Sequence, residues 1–501
     1  MAEFISLLFS NGYLLGATFI VCLFLLDFMK SRKNGSHFPP GPRGLPFLGN
    51  ILQVDFRNPA VTFHQLGKQF GNVYSLQFFW TKTVVLNGFE VNKEALINRS
   101  EEIADRPRFP TYEKLGYVGD TKGILIAHYG SSWKEQRKFA MTTLRNFGMG
   151  KKSLEERVTE EAKFLCSEFL SQKDRFDPTY LINNAVINVI CSITFGDRFE
   201  YNDEKLRRLL HLFYSALKAE FGLLAQILNE IPFLNHIPWL ADRVLGPEYE
   251  MIAFLKEMIA EHRETWDPNY TRDYIDAYLV EMEKVKEDGS SSFNETNLLM
   301  TTCDLFLAGS ETTGTTLRWA VLFMILYPDV QSKVQEEIDR IIGRERKPTM
   351  GDVLQMPYTN AVIHEVQRCG DIVPLALPHM AHRDMEIKGY FIPKGTNIIT
   401  NLSSVLKDHE VWEKPFQFYP KHFLDENEKF LKREAFIPFS IGRRACLGEQ
   451  LARMELFLFF TTFLQQLTFE IPNDQPRPRE DPFFALTLSP QPYNIHVTAR
   501  V

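Results

Sequence analysis

Residues 436–449 read Phe-Ile-Pro-Phe-Ser-Ile-Gly-Arg-Arg-Ala-Cys-Leu-Gly-Glu, and a helical pattern follows them at once. Cys446 therefore lies in a loop bounded by Gly442 and Gly448, just before a helix N-terminus. Glycine permits tight turns and the close approach of a flat partner, while helix-terminal amides favour a thiolate over a thiol. We expect Cys446 to be an anionic ligand of iron and Arg444 to meet a carboxylate.

A second informative segment, residues 308–313 with the sequence Ala-Gly-Ser-Glu-Thr-Thr, lies in the middle of a helix predicted over residues 294–326. The small residues Ala308 and Gly309 would let a bulky planar ligand approach the helix. A bond from the Thr312 hydroxyl to the carbonyl of Ala308 would bend the helix locally. Glu311 and Thr312 would supply an acid and a hydroxyl for proton transfer. The alternative is a solvated glutamate beside ordinary helical threonines, and we would prefer it if the cysteine loop were absent.

Two further pairs have helical spacing but are not specific on their own. Glu365 and Arg368 share one helical face, yet such pairs are common on surfaces and contribute little to stability. Trp133 and Arg137 lie one turn apart, which brings an indole donor close to a guanidinium group. A surface helix with a packed tryptophan would also explain this second pair.

The cysteine loop resembles the haem-binding loop of the cytochrome P450 family, in which Phe, Gly, Arg, Cys and Gly recur at fixed spacing. The matching residues are Phe439, Gly442, Arg444, Cys446 and Gly448. The resemblance implies that Cys446 is the axial ligand of a haem b iron and donates electron density that favours cleavage of the O–O bond. It also implies the cytochrome P450 fold, mainly α with a small β part.

The resemblance further implies roles for the remaining candidates. The cofactor-binding residues would be Trp133, Arg137, His379, Arg444, Cys446, Phe439, Gly442 and Ala308. Glu311 and Thr312 would be catalytic, because they would pass protons to bound oxygen. Glu365 and Arg368 would be structural and would hold the cysteine loop, together with His422, which stands where many members of the family have Arg.

The N-terminus has the composition of a membrane anchor. Residues 4–26 are nearly all apolar, which is enough to span a bilayer as one transmembrane helix. Basic residues follow this run, so everything after residue 30 is expected in the cytosol. We predict an anchor over 1–30, a proline-rich hinge over 38–42 and a single catalytic domain over 31–501 on the endoplasmic reticulum membrane.

Bulk composition excludes several classes of protein. The net charge is −7, and the sequence has no basic run interleaved with aromatics, so nucleic acid is not expected as a partner. The six cysteines are scattered singly, unlike zinc sites or a disulfide scaffold. Glycine-rich dinucleotide and phosphate loops are absent from the sequence. Electrons from NADPH are therefore expected through a flavoprotein reductase, with cytochrome b5 as a further candidate partner.

Hydrophobic periodicity predicts a mainly helical chain. The clearest amphipathic stretches are Ser153 to Ser171, Asn294 to Leu326, Asp329 to Ile342, Asn360 to Cys369 and Glu449 to Leu467. Alternating runs over Tyr74 to Leu86 and Tyr390 to Ile399 predict a small sheet.

Three stretches, 144–153, 190–196 and 356–360, most resemble the J subfamily of the microsomal P450 family 2. This likeness implies epoxidation or hydroxylation of polyunsaturated fatty acids such as arachidonic and linoleic acid. The segments expected to line the cavity, around 109–123, 213–231, 372–377 and 483–488, are apolar enough for such a substrate, although plain core would look the same. The alternatives are a broad xenobiotic, drug or steroid monooxygenase, a haem-thiolate isomerase, and a haem sensor without turnover.

Overall fold

A computed structural model of the chain describes residues 37–119, 123–147, 152–172, 174–220, 222–287, 289, 291–484 and 487–500. Helices dominate these residues, with short strands near both ends, as the periodicity predicts. In chain order the α-helices are α1 Pro59–Phe70, α2 Phe89–Lys93, α3 Pro110–Lys114, α4 Ser131–Phe147, α5 Lys152–Ser171, α6 Thr179–Thr194, α7 Glu204–Glu220, α8 Leu223–Glu230, α9 Pro238–Glu264, α10 Tyr274–Lys284, α11 Glu295–Leu326, α12 Pro328–Ile341, α13 Pro357–Gly370, α14 Ser403–Leu406 and α15 Glu449–Gln466.

All five predicted amphipathic helices are confirmed, as α5, α11, α12, α13 and α15, with shifts of at most a few residues at their ends. The mainly α fold class with a small β part is confirmed as well. The strands are β1 Val73–Phe78, β2 Thr81–Leu86, β3 His379–Met380, β4 Met385–Ile387, β5 Tyr390–Ile392, β6 Asn397–Thr400, β7 Leu467–Glu470, β8 Pro482–Phe484, β9 Leu488–Pro490 and β10 His496–Ala499.

The largest sheet has four strands in the order β1-β2-β6-β3. Strand β1 pairs antiparallel with β2, and β2 pairs parallel with β6. The parallel pairing brings together strands from opposite halves of the chain, and Val84, Leu86 and Ile398 are buried in the small core beneath them. Three two-stranded ribbons, β10-β7, β4-β5 and β8-β9, complete the β part.

Helix α11 is the central element of the main core. It has 32 residues and is about 48 Å long at the rise of an α-helix. Its C-terminal half is buried on all sides, which agrees with a sequence that is apolar all round there. Asn294 caps its start by accepting a hydrogen bond from the amide of Asn297. The helix therefore holds the functional side chains that project from it in fixed positions.

The proline segment at 38–42 is non-helical, as its prolines predict. It is not a free hinge, however, because the amide of Ser75 in β1 donates to the carbonyl of Pro40 at 2.7 Å. The Ser75 hydroxyl also donates to the carbonyl of Pro39 at 2.8 Å. A Cβ on Gly41 would lie only 2.0 Å from the carbonyl oxygen of Ser75, so the segment is held closely against the sheet.

The predicted anchor over residues 1–30 lies outside the described residues. From His37 onward, none of the helices that the structure describes has both the length and the apolar character needed to span a bilayer.

Candidate functional site

Cys446 lies in a tight loop immediately before α15. Its amide donates to the carbonyl of Phe439 at 2.9 Å, which closes the loop on itself. Cys446 is accessible although protein surrounds it closely, so its thiol faces an internal space. In the protein alone, burial raises the pKa of this thiol and outweighs the backbone amides of Gly448 and Glu449, which lower it. An iron cation bound at the sulfur would favour the thiolate over the thiol.

Gly442 is required by the chain itself rather than by a flat partner. Its φ is +82°, a left-handed conformation that favours glycine. A Cβ at this position would lie 1.8 Å from the carbonyl oxygen of Leu96, so the cysteine loop packs directly on the backbone of another segment. Gly448 has an ordinary φ of −89°, and the nearest atom to an added Cβ is the Cys446 sulfur at 4.0 Å.

Helix α11 turns one face toward an internal space. Ala308 is exposed and Thr312 is half-buried, although most of the helix around them is buried. The Thr312 hydroxyl donates to the carbonyl of Ala308 at 2.7 Å, the bond that the sequence predicts. Gly309 has a different role from the one expected, because an added Cβ would lie 2.4 Å from Cδ1 of Ile190. Its small size serves the packing of α6 on α11.

Glu311 is buried on another face of α11 and does not contact the Thr312 hydroxyl in this structure. Its Oε1 accepts hydrogen bonds from the hydroxyls of Thr315 at 3.0 Å and Thr487 at 3.1 Å. Arg318 Nη2 lies 3.3 Å from the same oxygen and forms a buried ion pair with it. The expected adjacency of acid and hydroxyl therefore exists along the chain but not as a direct hydrogen bond.

Three arginines converge on the cysteine loop. Arg444 donates to the carbonyls of Ala104, Ile124 and Ala127 at 2.6–3.1 Å, and Arg137 donates to the carbonyl of Ala445 at 2.6 Å. Burial, together with the positive charge of Arg106, lowers the pKa of Arg444 to about 8. Burial and the charge of Arg137 lower the pKa of Arg106 to about 10.

Trp133 and His379 lie in the same region. The Arg444 guanidinium lies over the Trp133 ring at 4.1 Å, and Trp133 Nε1 is buried without a hydrogen-bond partner among the described residues. His379 Nδ1 donates to the carbonyl of Ile103 at 2.8 Å. Burial and the positive charges of Arg106 and Arg444 hold the pKa of His379 well below its usual range, so the ring is neutral.

This cluster has more positive charge than its protein surroundings neutralise. The negative charge of Asp105 attracts the guanidinium groups of Arg106 and Arg444. Its carboxylate, however, already accepts hydrogen bonds from the amides of Arg106 and Tyr129 and contacts the ring of His128. A buried charge without a counter-charge is unfavourable. An anionic ligand with more than one carboxylate, placed beside the orphan indole N–H, would fit these residues. Sequence reasoning missed Arg106, whose Arg-Pro context has no helical spacing to mark it.

The predicted structural pair forms a buried network. Arg368 donates from Nε and Nη2 to the two oxygens of Glu365, both at 2.8 Å. Arg368 also donates to the carbonyls of Leu406 and Pro415, which precede the cysteine loop. His422 joins the network, because its Nε2 accepts the amide of Lys414 and its Nδ1 donates to Glu365 at 3.1 Å. The histidine thus takes a place in the network where the family pattern has Arg.

A group of three carboxyls was not found from the sequence. Glu220 ends α7 and lies beside Glu248 of α9, while Asp304 of α11 is close enough to influence the pKa of Glu220. Burial raises the pKa of Glu248 and of Asp304 to about 7, and that of Glu220 well above its usual range. Glu220 and Glu248 are half-buried although protein surrounds them closely, so they line an internal space. Their separation along the chain hides them from any local pattern.

Comparison with known proteins gives consistent matches over nearly the whole chain. The family model described as cytochrome P450 matches residues 39–497. The chain is 54% identical to cytochrome P450 2D15 of Canis lupus familiaris, over 96% of this chain and 97% of that protein. It is 54% identical to human cytochrome P450 2D6, over 96% of this chain and 98% of that protein. Its identity to vitamin D(3) 25-hydroxylase of Sus scrofa is 51%, over 97% of this chain and 98% of that protein.

The expected likeness to the J subfamily is wrong, because 2D15, human 2D6 and mouse cytochrome P450 2D26, at 50–54% identity, all belong by name to the 2D subfamily. The stretches that suggested the J subfamily lie in structural elements of the fold. Residues 190–194 lie within buried α6, and residues 357–360 begin α13. Of the stretch at 144–153, residues 148–151 lie outside the described residues. Packing constraints of this kind do not identify a subfamily.

Gly442→Ala should prevent the cysteine loop from packing on Leu96, since both the positive φ and the 1.8 Å approach exclude a side chain. We expect a loss of stability of about 3 kcal/mol or more, measured as a lower thermal unfolding midpoint. Gly448→Ala is the matched control because its Cβ would meet no close atom. Equal midpoints for the two variants would contradict this account of Gly442.

Proposed function

Because this chain belongs to the cytochrome P450 family and is a haem-thiolate monooxygenase, we propose that it oxidises lipophilic compounds of foreign origin, with a preference for basic amines. The enzyme uses haem iron, O2 and electrons derived from NADPH through a reductase. One oxygen atom enters the substrate and the other leaves as water, which consumes two electrons and two protons. The single observation that carries the substrate proposal is the group of carboxyls at Glu220, Glu248 and Asp304.

The residues around the cysteine loop fit the cofactor. Cys446 would supply the thiolate ligand, and Gly442 and Phe439 would shape the loop that presents it. The haem propionates would supply the negative counter-charge that the protein does not place beside Arg137 and Arg444. They would also offer acceptors to the orphan Nε1 of Trp133 and to the neighbouring ring of His379, with Arg106 as a further partner. When bound, haem supplies the site at which O2 is activated.

On α11, Ala308 and Thr312 would face the oxygen site. Ala308 leaves room above a planar ligand, and the hydroxyl of Thr312, anchored to the Ala308 carbonyl, would present its oxygen to a bound reactant. Glu311 would be the carboxylate that takes protons from water and passes them toward Thr312. Glu365 and Arg368 would act only as structural support for the segment before the cysteine loop.

The group of three carboxyls would favour cations over anions in the substrate cavity. An ammonium group can replace the proton shared by Glu220 and Glu248, and it would form ion pairs in a site where burial strengthens electrostatic interactions. The carboxylate of a fatty acid would instead approach groups of its own charge. This argues against the expected epoxidation of arachidonic and linoleic acid and favours the xenobiotic alternative.

A second substrate class has support from one relative. The pig protein is named vitamin D(3) 25-hydroxylase and shares 51% identity with this chain. Vitamin D3 is a large, neutral, apolar molecule, so its turnover would not depend on the carboxyls at Glu220 and Glu248. Product formation from vitamin D3 and from a lipophilic amine, each assayed with Glu220→Gln, separates the two classes, because only amine turnover should fall.

The described part of the chain has an apolar face suited to the endoplasmic reticulum membrane. Trp239, Phe233 and Trp80 are 69%, 67% and 55% exposed. The hydroxyl of Thr81 donates to Glu230 at 2.8 Å and so brings the β1–β2 turn next to the segment after α8. A bilayer is the fitting occupant because the sequence predicts a membrane anchor in the same chain, and tryptophan favours membrane interfaces.

The reductase would approach from the side of the cysteine loop. Arg443 lies in that loop with its side chain 47% exposed, and it pairs with the equally exposed Glu101. Lys134 of α4 is exposed beside the same loop and covers the ring of Tyr129. We propose that Lys134 and Arg443 contribute to docking of the reductase and, as a second candidate, of cytochrome b5, since exposed cations attract acidic partners.

Cys446→Ser should abolish the red-shifted Soret band of the reduced carbon monoxide complex, because a serine oxygen cannot replace the thiolate. The measurement is the difference spectrum of membranes that contain equal amounts of each protein. Cys369→Ser is the matched control, since Cys369 contacts Glu365 and Gln417 outside the loop. An unchanged band in Cys446→Ser would refute the ligand assignment.

A quaternary ammonium ligand should bind about tenfold more tightly at pH 8 than at pH 6, because the carboxyls of Glu248 and Asp304, with pKa values of about 7, become negative over this interval. Such a ligand keeps its own charge at every pH. Binding is followed by titration of the Soret band. The neutral tert-butyl analogue is the control, and Glu248→Gln should flatten the dependence; an equal pH dependence for the neutral analogue would sink the proposal.

Trp239 should be quenched by lipids brominated near the interface when the full chain is reconstituted in vesicles, because its ring would lie at headgroup depth. The measurement is tryptophan emission, with Trp239→Phe used to isolate the contribution of this residue. Trp412 is buried and should contribute none of the quenching. The membrane face is wrong if the quenched fraction is the same in Trp239→Phe.

A further inference from the structure

The two oxygens of the Glu311 carboxylate have unequal surroundings. Oε1 accepts from Thr315, Thr487 and Arg318 at 3.0, 3.1 and 3.3 Å. Oε2 is buried and has no hydrogen-bond partner among the described residues. The carboxylate is thus held by one oxygen, while the other is buried without a partner among the described residues.

Helix geometry explains why the donors gather on one oxygen. Glu311, Thr315 and Arg318 are four and three residues apart, so they form one stripe along α11. Ala308 and Thr312 lie about 60° and 100° around the helix from Glu311. The carboxylate therefore sits beside the stripe that faces the internal space, without being part of it.

The fixed side of the carboxylate is tied to a second element. Thr487 precedes β9, whose amide at Leu488 donates to the carbonyl of Ile372 at 2.9 Å. The indole of Trp319 donates to the carbonyl of Leu488 at 2.9 Å and joins β9 to α11. Ser489 lies 3.2 Å from the Thr487 hydroxyl and 3.4 Å from Arg318 Nη2, so the donors support each other.

We propose that Arg318 and Thr487 are positioning residues for proton delivery, which hold Glu311 by Oε1 so that Oε2 is the oxygen that transfers protons. This inference rests on the proposed role of Glu311 in turnover. Oε2 takes a proton from water, becomes a carboxylic acid, releases that proton toward the Thr312 hydroxyl and returns to the carboxylate. The electrons are those that the reductase supplies, so the transfer needs no further reactant.

A purely structural ion pair does not explain this arrangement. Buried acceptors in folded proteins nearly always have a partner, and an unmatched oxygen is destabilising. Buried ion pairs also contribute little to net stability compared with apolar replacements. Glu311 has three donors on one oxygen and none on the other. This arrangement lowers the stability of the fold, but it sets the direction in which a proton can move.

The test compares Thr487→Val, Arg318→Lys and Glu311→Gln in the full-length enzyme with reductase. Thr487→Val removes one donor while keeping the shape of the side chain, and Arg318→Lys keeps the charge while losing the guanidinium geometry. We expect product formed per NADPH to fall about fivefold in Thr487→Val, the effect of one lost hydrogen bond. Hydrogen peroxide should rise in proportion. Thr461→Val is the matched control, since this buried hydroxyl donates within its own helix.

A second readout does not depend on turnover. In a double-mutant cycle, Thr487→Val should lower the melting temperature of the protein, and the decrease should be smaller when Glu311 is already replaced by Ala. Equal decreases in the two backgrounds would show that the hydroxyl does not act on the carboxylate and would overturn the inference.

The outcomes separate the inference from the function on which it rests. If Glu311→Gln loses coupling while Thr487→Val and Arg318→Lys behave like Thr461→Val, the positioning role is refuted and the relay stands. If Glu311→Gln itself remains fully coupled, the relay fails, and the positioning role fails with it. Loss of coupling in all three variants, with Thr461→Val unchanged, supports the inference.

Discussion

The arrangement of the site depends on buried positive charge that the protein does not neutralise. Arg106, Arg137 and Arg444 tie together the cysteine loop, α4 and the segments near residues 104–127 and 377–378, and their bonds go to backbone carbonyls. Carbonyl dipoles satisfy the hydrogen-bonding capacity of a guanidinium but not its charge. Burial, together with the positive charge of Arg106, lowers the pKa of Arg444 to about 8.

It follows that the cofactor is part of the folding energetics as well as of the chemistry. A ligand that binds only the folded chain stabilises it by an amount that grows with the logarithm of the ligand concentration relative to its dissociation constant. Here the ligand would also remove a repulsion that the folded chain bears without it. Segments distant in sequence meet at these arginines, so the region around the cysteine loop should be the part most sensitive to haem supply.

Helix α11 carries separate tasks on different faces. Ala308 and Thr312 face the internal space, Gly309 receives Ile190 from α6, and Glu311 is held on a third face by Arg318. Each residue of an α-helix is rotated by about 100° from the one before it, so consecutive residues necessarily face different neighbours. The short motif is therefore compact in sequence but faces three different neighbours.

Sequence reasoning succeeded where a signal is local. The long amphipathic helices and the bond from Thr312 to Ala308 follow from periodicity and helix geometry, and the family follows from the cysteine loop. It failed where residues meet only in three dimensions. Arg106 and the carboxyls at Glu220 and Glu248 have no spacing that marks them, and the tight contact of Gly442 with Leu96 lies between segments far apart in the chain.

The proline segment bound to β1 has a mechanical consequence. If the proposed anchor ends at residue 30, only residues 31–38 separate it from Pro39 and Pro40, which are bound to the sheet. Even fully extended, such a linker would keep the start of the catalytic domain within about 30 Å of the end of the anchor.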